Sequence, residues 1–479
     1  MKERIKRLLP KNRFARSVSV LAGGTAAGQI IVVAASPILT RLYSPEDFGL
    51  LAVYAGLLGI MGVIASLRYQ LAIPLPESDE EAASVAVLSL FVVLGMTAVS
   101  AIIVGFWGAP ITRALNTPAL EPYLWLLPLG LLLTGVYQVF SYWAIRTRAF
   151  PAIARTKLTQ AISMVGVQFG AYMLGPLALL LGQITGQAAG TFSLGVLAIR
   201  RKWAAFRGVR FVDIRWAVMR YRRFPIYSSW DGLFNKAGTE LPAILFAALF
   251  SPAVAGLYLL ANRVVAVPMR LLGKSIADVF FSGATNAYRK GDLAALVSST
   301  HSGLAQIAFP PALLLLLTGP DLFSFIFGEP WRQAGEIAQW LAPFLYVQFV
   351  TSPLSTIYCV VEKQAQASLF HAGLLIVRIS ALVIGAMQQD VLLAVALFSL
   401  GSAICWIGFL LWILSVSGSR PVPLASRSTA KAAAGAFFLN LPVILVVTLS
   451  GFGDYVVGAV FVSFVLISLR YYYLLRLAY

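Results

Sequence analysis

The sequence predicts an all-α polytopic membrane protein with about fourteen transmembrane helices. Three observations carry that reading. Of the 479 residues, 59% are hydrophobic and only 12% charged, whereas a soluble domain averages about a quarter charged residues. Apolar runs close to the 20 or so residues that cross a bilayer core recur along the whole chain, bounded by charge, Pro or Gly. The charges also fall unevenly: 37 Lys and Arg against 19 Asp and Glu leave a formal net of +18. On a soluble chain that excess would point to nucleic acid. On a membrane chain it reports topology once each charge has been located.

The expected spans are 17–40, 48–66, 83–104, 123–145, 158–174, 177–198 and 224–249, then 254–272, 302–317, 337–357, 368–387, 391–414, 432–447 and 455–469. The first has a basic front like a signal peptide, but it is too long for an h-region, and Pro37 interrupts the cleavage site. Tight hairpins at Gly175-Pro176 and Ser251-Pro252 separate the fifth from the sixth span and the seventh from the eighth. Alternation from a cytoplasmic N-terminus leaves only Arg41, Arg113 and Arg332 outside. Lys236, Arg263 and Arg378 fall within the membrane, and all other Lys and Arg fall at cytoplasmic ends. The positive-inside rule therefore favours an even number of spans and places both termini in the cytoplasm.

The Arg-rich stretch from Arg200 to Arg223, with its RYRR core, is read as a cytoplasmic loop on anionic headgroups and not as a nucleic-acid patch. Phe211, Ile214, Trp216 and Met219 would sit in the interface. The expected organisation is a six-helix lobe over 1–199, this linker over 200–223, a second six-helix lobe over 224–418, and two additional helices over 419–479.

An internal repeat supports the two lobes. At an offset of 207 residues, YSPEDFGL from Tyr43 superposes on FSPAVAGL from Phe250, matching Ser44, Pro45, Gly49 and Leu50 to Ser251, Pro252, Gly256 and Leu257. These residues suit a helix–helix turn, and six helices per repeat would give parallel halves. Pro37 and Pro242 fall at nearly corresponding positions, as interrupted helices of a central transport site would.

Five ionisable residues lie well inside spans: Asp231, Lys236, Glu240, Arg263 and Arg378. Each costs roughly 2.5–3.5 kcal/mol at the centre of an isolated helix, so they must face protein or water. At about 100° per residue, Asp231, Asn235, Thr239, Lys236 and Glu240 share one half of the seventh span, as a helix lining a wet cavity would show. The alternative is a structural ion pair, because Lys236 and Glu240 are i and i+4. Arg263 and Arg378 fall near the membrane midplane, and a guanidinium offers donors that fit phosphate or carboxylate. Lys236, Arg263 and Arg378 together favour an anionic ligand.

No catalytic or metal-binding constellation appears. His301 and His371 lie near span ends without ligand partners and are read as solvated or interfacial. Cys359 and Cys405 read as free thiols. No phosphate-binding loop of an ATPase is present, and no cofactor is expected. Gly24 with Gly28, and Gly182 with Gly186 and Gly190, have the spacing that lets helices pack closely. Beside them, Gln29, Gln183 and Gln187 either line the cavity or hydrogen-bond between helices.

Two passages, over about residues 20–83 and 227–281, resemble bacterial polysaccharide biosynthesis flippases of the multidrug/oligosaccharidyl-lipid/polysaccharide exporter superfamily. The specific parts are LTRLYSPEDFG, LRYQLAIPLP followed by SDEEA, and the asparagine-bearing seventh span YSSWDGLFNKAGTELP. The resemblance implies a V-shaped transporter of two six-helix lobes in the bacterial inner membrane. It implies an undecaprenyl-diphosphate-linked oligosaccharide as substrate, flipped by alternating access for O-antigen, capsule or exopolysaccharide synthesis, with other polysaccharide assembly proteins as further partners. On that reading Lys236, Arg263 and Arg378 bind substrate, Asn235, Thr239 and Gln29 line the cavity, and Asp231 and Glu240 are candidates for proton or Na⁺ coupling. The competing readings are a multidrug or lipid II exporter of the same superfamily, or a membrane polysaccharide polymerase.

Overall fold

A computed structural model describes residues 13–361, 363–450 and 455–477, and every regular element among them is helical. A helix lies over each expected span. Among the described residues, seven helices are individually long and apolar enough to cross a membrane, and a bent pair taken as one span makes an eighth. The chain divides into two compact units, Met1–Gly256 and Leu257–Tyr479.

The first unit contains α1 (Arg13–Leu42), α2 (Pro45–Ile64), α3 (Asp79–Ala114), α4 (Leu126–Arg146), α5 (Phe150–Gly170), α6 (Pro176–Arg207), α7 (Phe211–Arg220) and α8 (Ser229–Leu249). Small residues set its closest approaches. A Cβ at Gly24 would collide with Ala154, and one at Gly28 would come within 3.0 Å of the Lys157 carbonyl, so α1 lies directly on α5. Gly182, Gly186 and Gly190 do the same for α6 against Gln160, Met164 and Gln168 of α5. Gln187 accepts a hydrogen bond from Gln160 at 3.3 Å, which settles that glutamine as an interhelical bridge.

Turn chemistry starts α2. The Ser44 hydroxyl accepts from the Asp47 amide, and the Asp47 carboxylate accepts from the Ser44 amide, a capping box with Pro45 at the first helical position. The matched Ser251 likewise accepts from the Val254 amide at 3.3 Å. The two repeat motifs then pack on each other reciprocally. A Cβ at Gly49 would overlap the Pro252 carbonyl, and a Cβ at Gly256 would overlap the Pro45 carbonyl. In each motif the glycine receives the proline of the other, so α8, expected in the second lobe, lies along α2 within the first unit. Tyr43 in the α1–α2 turn donates to the Gln168 carbonyl at 2.5 Å, and burial with Asp47 nearby pushes its phenol up to about 12.

The connection between α2 and α3 is held by Arg146, whose guanidinium donates to the carbonyls of Pro76, Glu77 and Ser78 and to Asp79. Amphipathic α7 packs on α3 with Ala217 buried, and leaves Phe211, Trp216, Met219, Arg215 and Arg220 exposed. Ile214 packs against the core beside Ala217 instead of joining the expected interfacial row, because it falls on the same side of the helix as Ala217. Both α1 and α8 run unbroken through Pro37 and Pro242. The irregular winding comes just before α8, where Phe224–Ser228 forms a π turn.

The second unit holds most of α9 (Pro252–Lys290), then α10 (Leu293–Phe327), α11 (Arg332–Thr351), α12 (Gln364–Met387), α13 (Val391–Val416), α14 (Pro421–Leu439), α15 (Leu441–Ser450) and α16 (Tyr455–Leu477). Helix α10 contains Pro310, Pro311 and Pro320, each of which removes the amide that would bond the carbonyl four residues earlier. Two of the freed carbonyls are taken up by neighbours. Tyr471 of α16 donates to Ile307, and Gln339 of α11 donates to Leu316 at 2.5 Å. Gly319 and Gly335 bring α10 and α11 into backbone contact. The expected thirteenth span is two helices, α14 and α15, bent by 66° at Asn440. Pro442 cannot bond back to Phe438, and Asn440 turns its amide onto the Pro310 carbonyl at 3.2 Å. His301 is 1% exposed and not solvated as expected, since α10 begins at Leu293, two turns before it. His371 is exposed, and Cys405 is a free thiol. The side chain of Cys359 lies outside the described residues.

Two measurements check these contacts. Gly49→Ala and Gly256→Ala should each cost about 1–3 kcal/mol by wedging one shared contact apart. The double variant should then cost less than the sum in thermal unfolding of the nanodisc-embedded protein. Strict additivity would mean that the two glycines serve separate contacts. Tyr471→Phe should cost about 1 kcal/mol by stranding the Ile307 carbonyl, read as a lower midpoint in the same assay.

Candidate functional site

Close packing of α2 against α8 forces the polar face of α8 into a narrow seam. Gly56 meets Ile244, and a Cβ at Gly59 would stand 3.3 Å from both the Lys236 Cε and the Glu240 Cγ. Any larger residue at position 59 would push these two side chains away. In the space so left, the Lys236 ammonium donates to Glu240 at 2.5 Å, with 40% and 28% of the side chains exposed. The i,i+4 pairing weighed from the sequence is therefore present, and it leaves both groups reachable by water. Thr239 donates to the Lys236 carbonyl at 2.8 Å and, like Asn235, is exposed beside the pair. Gln29 is exposed on α1. The Asp231 side chain lies outside the described residues.

The sequence reading missed Arg68. It falls two residues beyond the expected second span and was counted with the cytoplasmic loop. In the structure the chain breaks after α2 through Leu67 and Arg68, both in the left-handed region at φ 48° and 65°, conformations that cost a non-glycine residue on the order of 1 kcal/mol or more. The break sends the Arg68 guanidinium across α8 at Gly232, where a Cβ would overlap it. Gly232 lies one turn before Lys236 on the face that meets α2. The LRYQLAIPLP motif marked this segment as distinctive, but hydropathy could not show that the chain doubles back.

A buried amide relay fixes the break. Ser66 donates to Gln70, Gln70 donates to Gln138 of α4 at 3.0 Å, and Gln138 donates to the Gly62 carbonyl at 3.0 Å. Tyr69, Gln70, Ala72 and Ile73 are all buried around it. A satisfied network of this kind is rigid, so the direction in which Arg68 leaves the backbone is set before anything binds.

Arg263 and Arg378 belong to the second unit. Arg263 is half-buried on α9. Arg378 of α12 donates from Nε to Ser402 at 3.1 Å and lies over the rings of Phe344 and Phe398, 5.1 and 5.2 Å from their centroids. Those rings meet edge to face, and Tyr258 of α9 packs on Phe398. Aromatic faces attract a cation electrostatically, by about 2 kcal/mol when desolvated, so the two rings help to hold Arg378 among apolar helices. The described residues contain no group of three or more His, Cys, Asp and Glu that could hold a metal ion.

The fold is similar to the solved structure of the lipid II flippase MurJ in an inward closed conformation. The TM-score is 0.72 over 95% of this chain and 99% of that one, at 13% identity. It is also similar to an inward-facing multidrug resistance MATE family transporter of the MOP superfamily, with TM-score 0.65 over 81% and 95% of the two chains at 13% identity. In sequence, the succinoglycan biosynthesis transport protein ExoT of Rhizobium meliloti (strain 1021) is 24% identical over 393 residues, 80% of this chain and 76% of that protein. The sequence profile of a family described as polysaccharide biosynthesis protein matches residues 38–336, a stretch that includes Arg68, Lys236, Glu240 and Arg263. With its fold, its apolar helices and the larger part of its length accounted for by that match, the chain belongs to the polysaccharide biosynthesis protein family.

Proposed function

We propose that this multi-pass membrane protein is a flippase that moves an undecaprenyl-diphosphate-linked oligosaccharide from the cytoplasmic to the periplasmic leaflet by alternating access, for surface polysaccharide synthesis. The observation that carries the reading is the set of cations Lys236, Arg263 and Arg378 within apolar helices of a polysaccharide biosynthesis protein. Cations are retained inside a membrane protein where they serve a polar path, since each one works against insertion. A diphosphate needs such donors along its route, and its lipid tail can remain in the bilayer throughout. The names of ExoT and MurJ, a polysaccharide transport protein and a lipid flippase, support the same cargo class.

In this reading Lys236, Arg263 and Arg378 bind the anionic head, while Asn235, Thr239 and Gln29 hydrogen-bond sugar hydroxyls. Glu240, in a salt bridge with Lys236, and Asp231 are the carboxylates through which protons or Na⁺ would drive the cycle. When substrate phosphate draws Lys236 away, Glu240 loses its counter-ion, which links cargo to coupling. The protein sits in the inner membrane with both termini cytoplasmic and works with other polysaccharide assembly proteins. Lipid II is the second cargo to test, because the fold is similar to that of a lipid II flippase. Cationic drugs fit poorly beside three basic residues.

Deleting the gene in a strain without a second flippase should strand the undecaprenyl-linked oligosaccharide on the cytoplasmic leaflet and abolish surface polymer. Normal polymer at the surface would contradict the assignment. Lys236→Ala and Arg263→Ala should each lower export about tenfold or more, the loss expected from one charge-assisted contact, with normal amounts of folded protein in the membrane. Wild-type export by both variants would remove these residues from the mechanism.

A further inference from the structure

We propose that Arg68 is a further substrate-binding residue, a guanidinium pre-aimed by the strained turn after α2 across Gly232 to take the anionic head of the cargo beside Lys236. The inference rests on the flippase reading and assigns a residue that the reading itself does not use.

Four features converge on it. The backbone at Leu67 and Arg68 is left-handed, which non-glycine residues adopt where the surroundings over-determine them. The Ser66–Gln70–Gln138 relay supplies that determination. Gly232 is buried and offers the only kind of surface, a bare backbone, on which the guanidinium can lie. Finally, Arg68 Nε is shielded from solvent and has no hydrogen-bond partner among the described residues. A buried donor without a partner costs about 1–3 kcal/mol, and an arriving phosphate or carboxylate oxygen would remove that cost. The residue as a whole is only half-buried, so its outer donors stay accessible.

Position selects the ligand chemistry. Gly232 and Lys236 are one turn apart on α8, about 6 Å along its axis, so the two cations flank a space that a two-phosphate group can bridge. Lys236 is already neutralised by Glu240, which leaves the positive potential of this seam to Arg68 among the described residues. Guanidinium favours bidentate contact with phosphate, which a lysine at the same place could not make. The competing role is structural: Arg68 could serve as counter-ion to Asp231, which adjoins Gly232.

The experiment compares wild type, Arg68→Gln, Arg68→Lys and the double variant Arg68→Gln with Asp231→Asn, each purified into nanodiscs. The probes are farnesyl diphosphate and farnesol, with thermal unfolding as the folding control. Arg68→Gln should bind farnesyl diphosphate about tenfold or more weakly than wild type, the equivalent of one lost charge-assisted hydrogen bond, while farnesol binding stays unchanged. Arg68→Lys should fall between the two, and the double variant should not recover. Should Arg68→Gln not fold, Arg68→Lys carries the comparison through the same assays. Equal diphosphate affinity in wild type and Arg68→Gln overturns the assignment of Arg68 and leaves the flippase reading standing. Recovery in the double variant assigns Arg68 to a structural pair with Asp231 and also overturns the proposal. A wild-type protein with no preference for diphosphate over farnesol overturns both readings together.

Discussion

The seam between α2 and α8 depends on one steric constraint at its end: the first turns of α2 and α9 approach so closely that each must present bare backbone to the other. Gly49 receives Pro252, and Gly256 receives Pro45, so the contact is nearly symmetric under exchange of the repeats. Once that end is fixed, antiparallel packing sets the register of everything farther along. Gly56 comes to Ile244, Gly59 to the Lys236–Glu240 pair, and Gly232 to Arg68. A stripe chosen for small size thus becomes the floor of a charged site. In lipid, where no hydrophobic gain drives helices together, such packing is the main source of specificity.

The charged residues show how a membrane interior tolerates ions by different means. Lys236 and Glu240 neutralise each other and remain half in water. Arg378 is held between aromatic faces with a hydroxyl in reach. Arg68 lies on glycine at the end of a strained turn. Proline is accommodated by the same logic, since Tyr471 and Gln339 come from neighbouring helices to the carbonyls that Pro311 and Pro320 release. Backbone groups inside the bilayer need partners within the protein, and these helices supply them to one another across long sequence separations.

Much of this was legible in the sequence because the bilayer imposes a length and an apolar composition on every crossing. Helix positions followed directly, as did the paired Ser-Pro turns and the glycine rows of α1 and α6, whose spacing encodes close packing. The Lys236–Glu240 contact was legible as an i,i+4 pair. What escaped depended on where the chain turns between spans. Arg68 was read as a loop residue because nothing in composition marks a left-handed turn at Leu67 and Arg68. His301 was placed in solvent because its helix starts two turns earlier than hydropathy indicates. The bend at Asn440 leaves no mark in hydropathy, because the residues on both sides of it are apolar, although Pro442 cannot bond back to Phe438.

The central claim is that cations set in apolar helices carry a diphosphate-linked sugar across the bilayer. Its most direct test is reconstitution of the purified protein into liposomes carrying a radiolabelled undecaprenyl-diphosphate oligosaccharide in the inner leaflet, followed by a membrane-impermeant glycosidase added outside. The account predicts that the sugar becomes cleavable far faster than in protein-free vesicles, and that substitution of Lys236 and Arg263 together by alanine returns the rate to the protein-free value. Folded wild-type protein that leaves the sugar protected, or a double variant that flips it as fast as wild type, would contradict it.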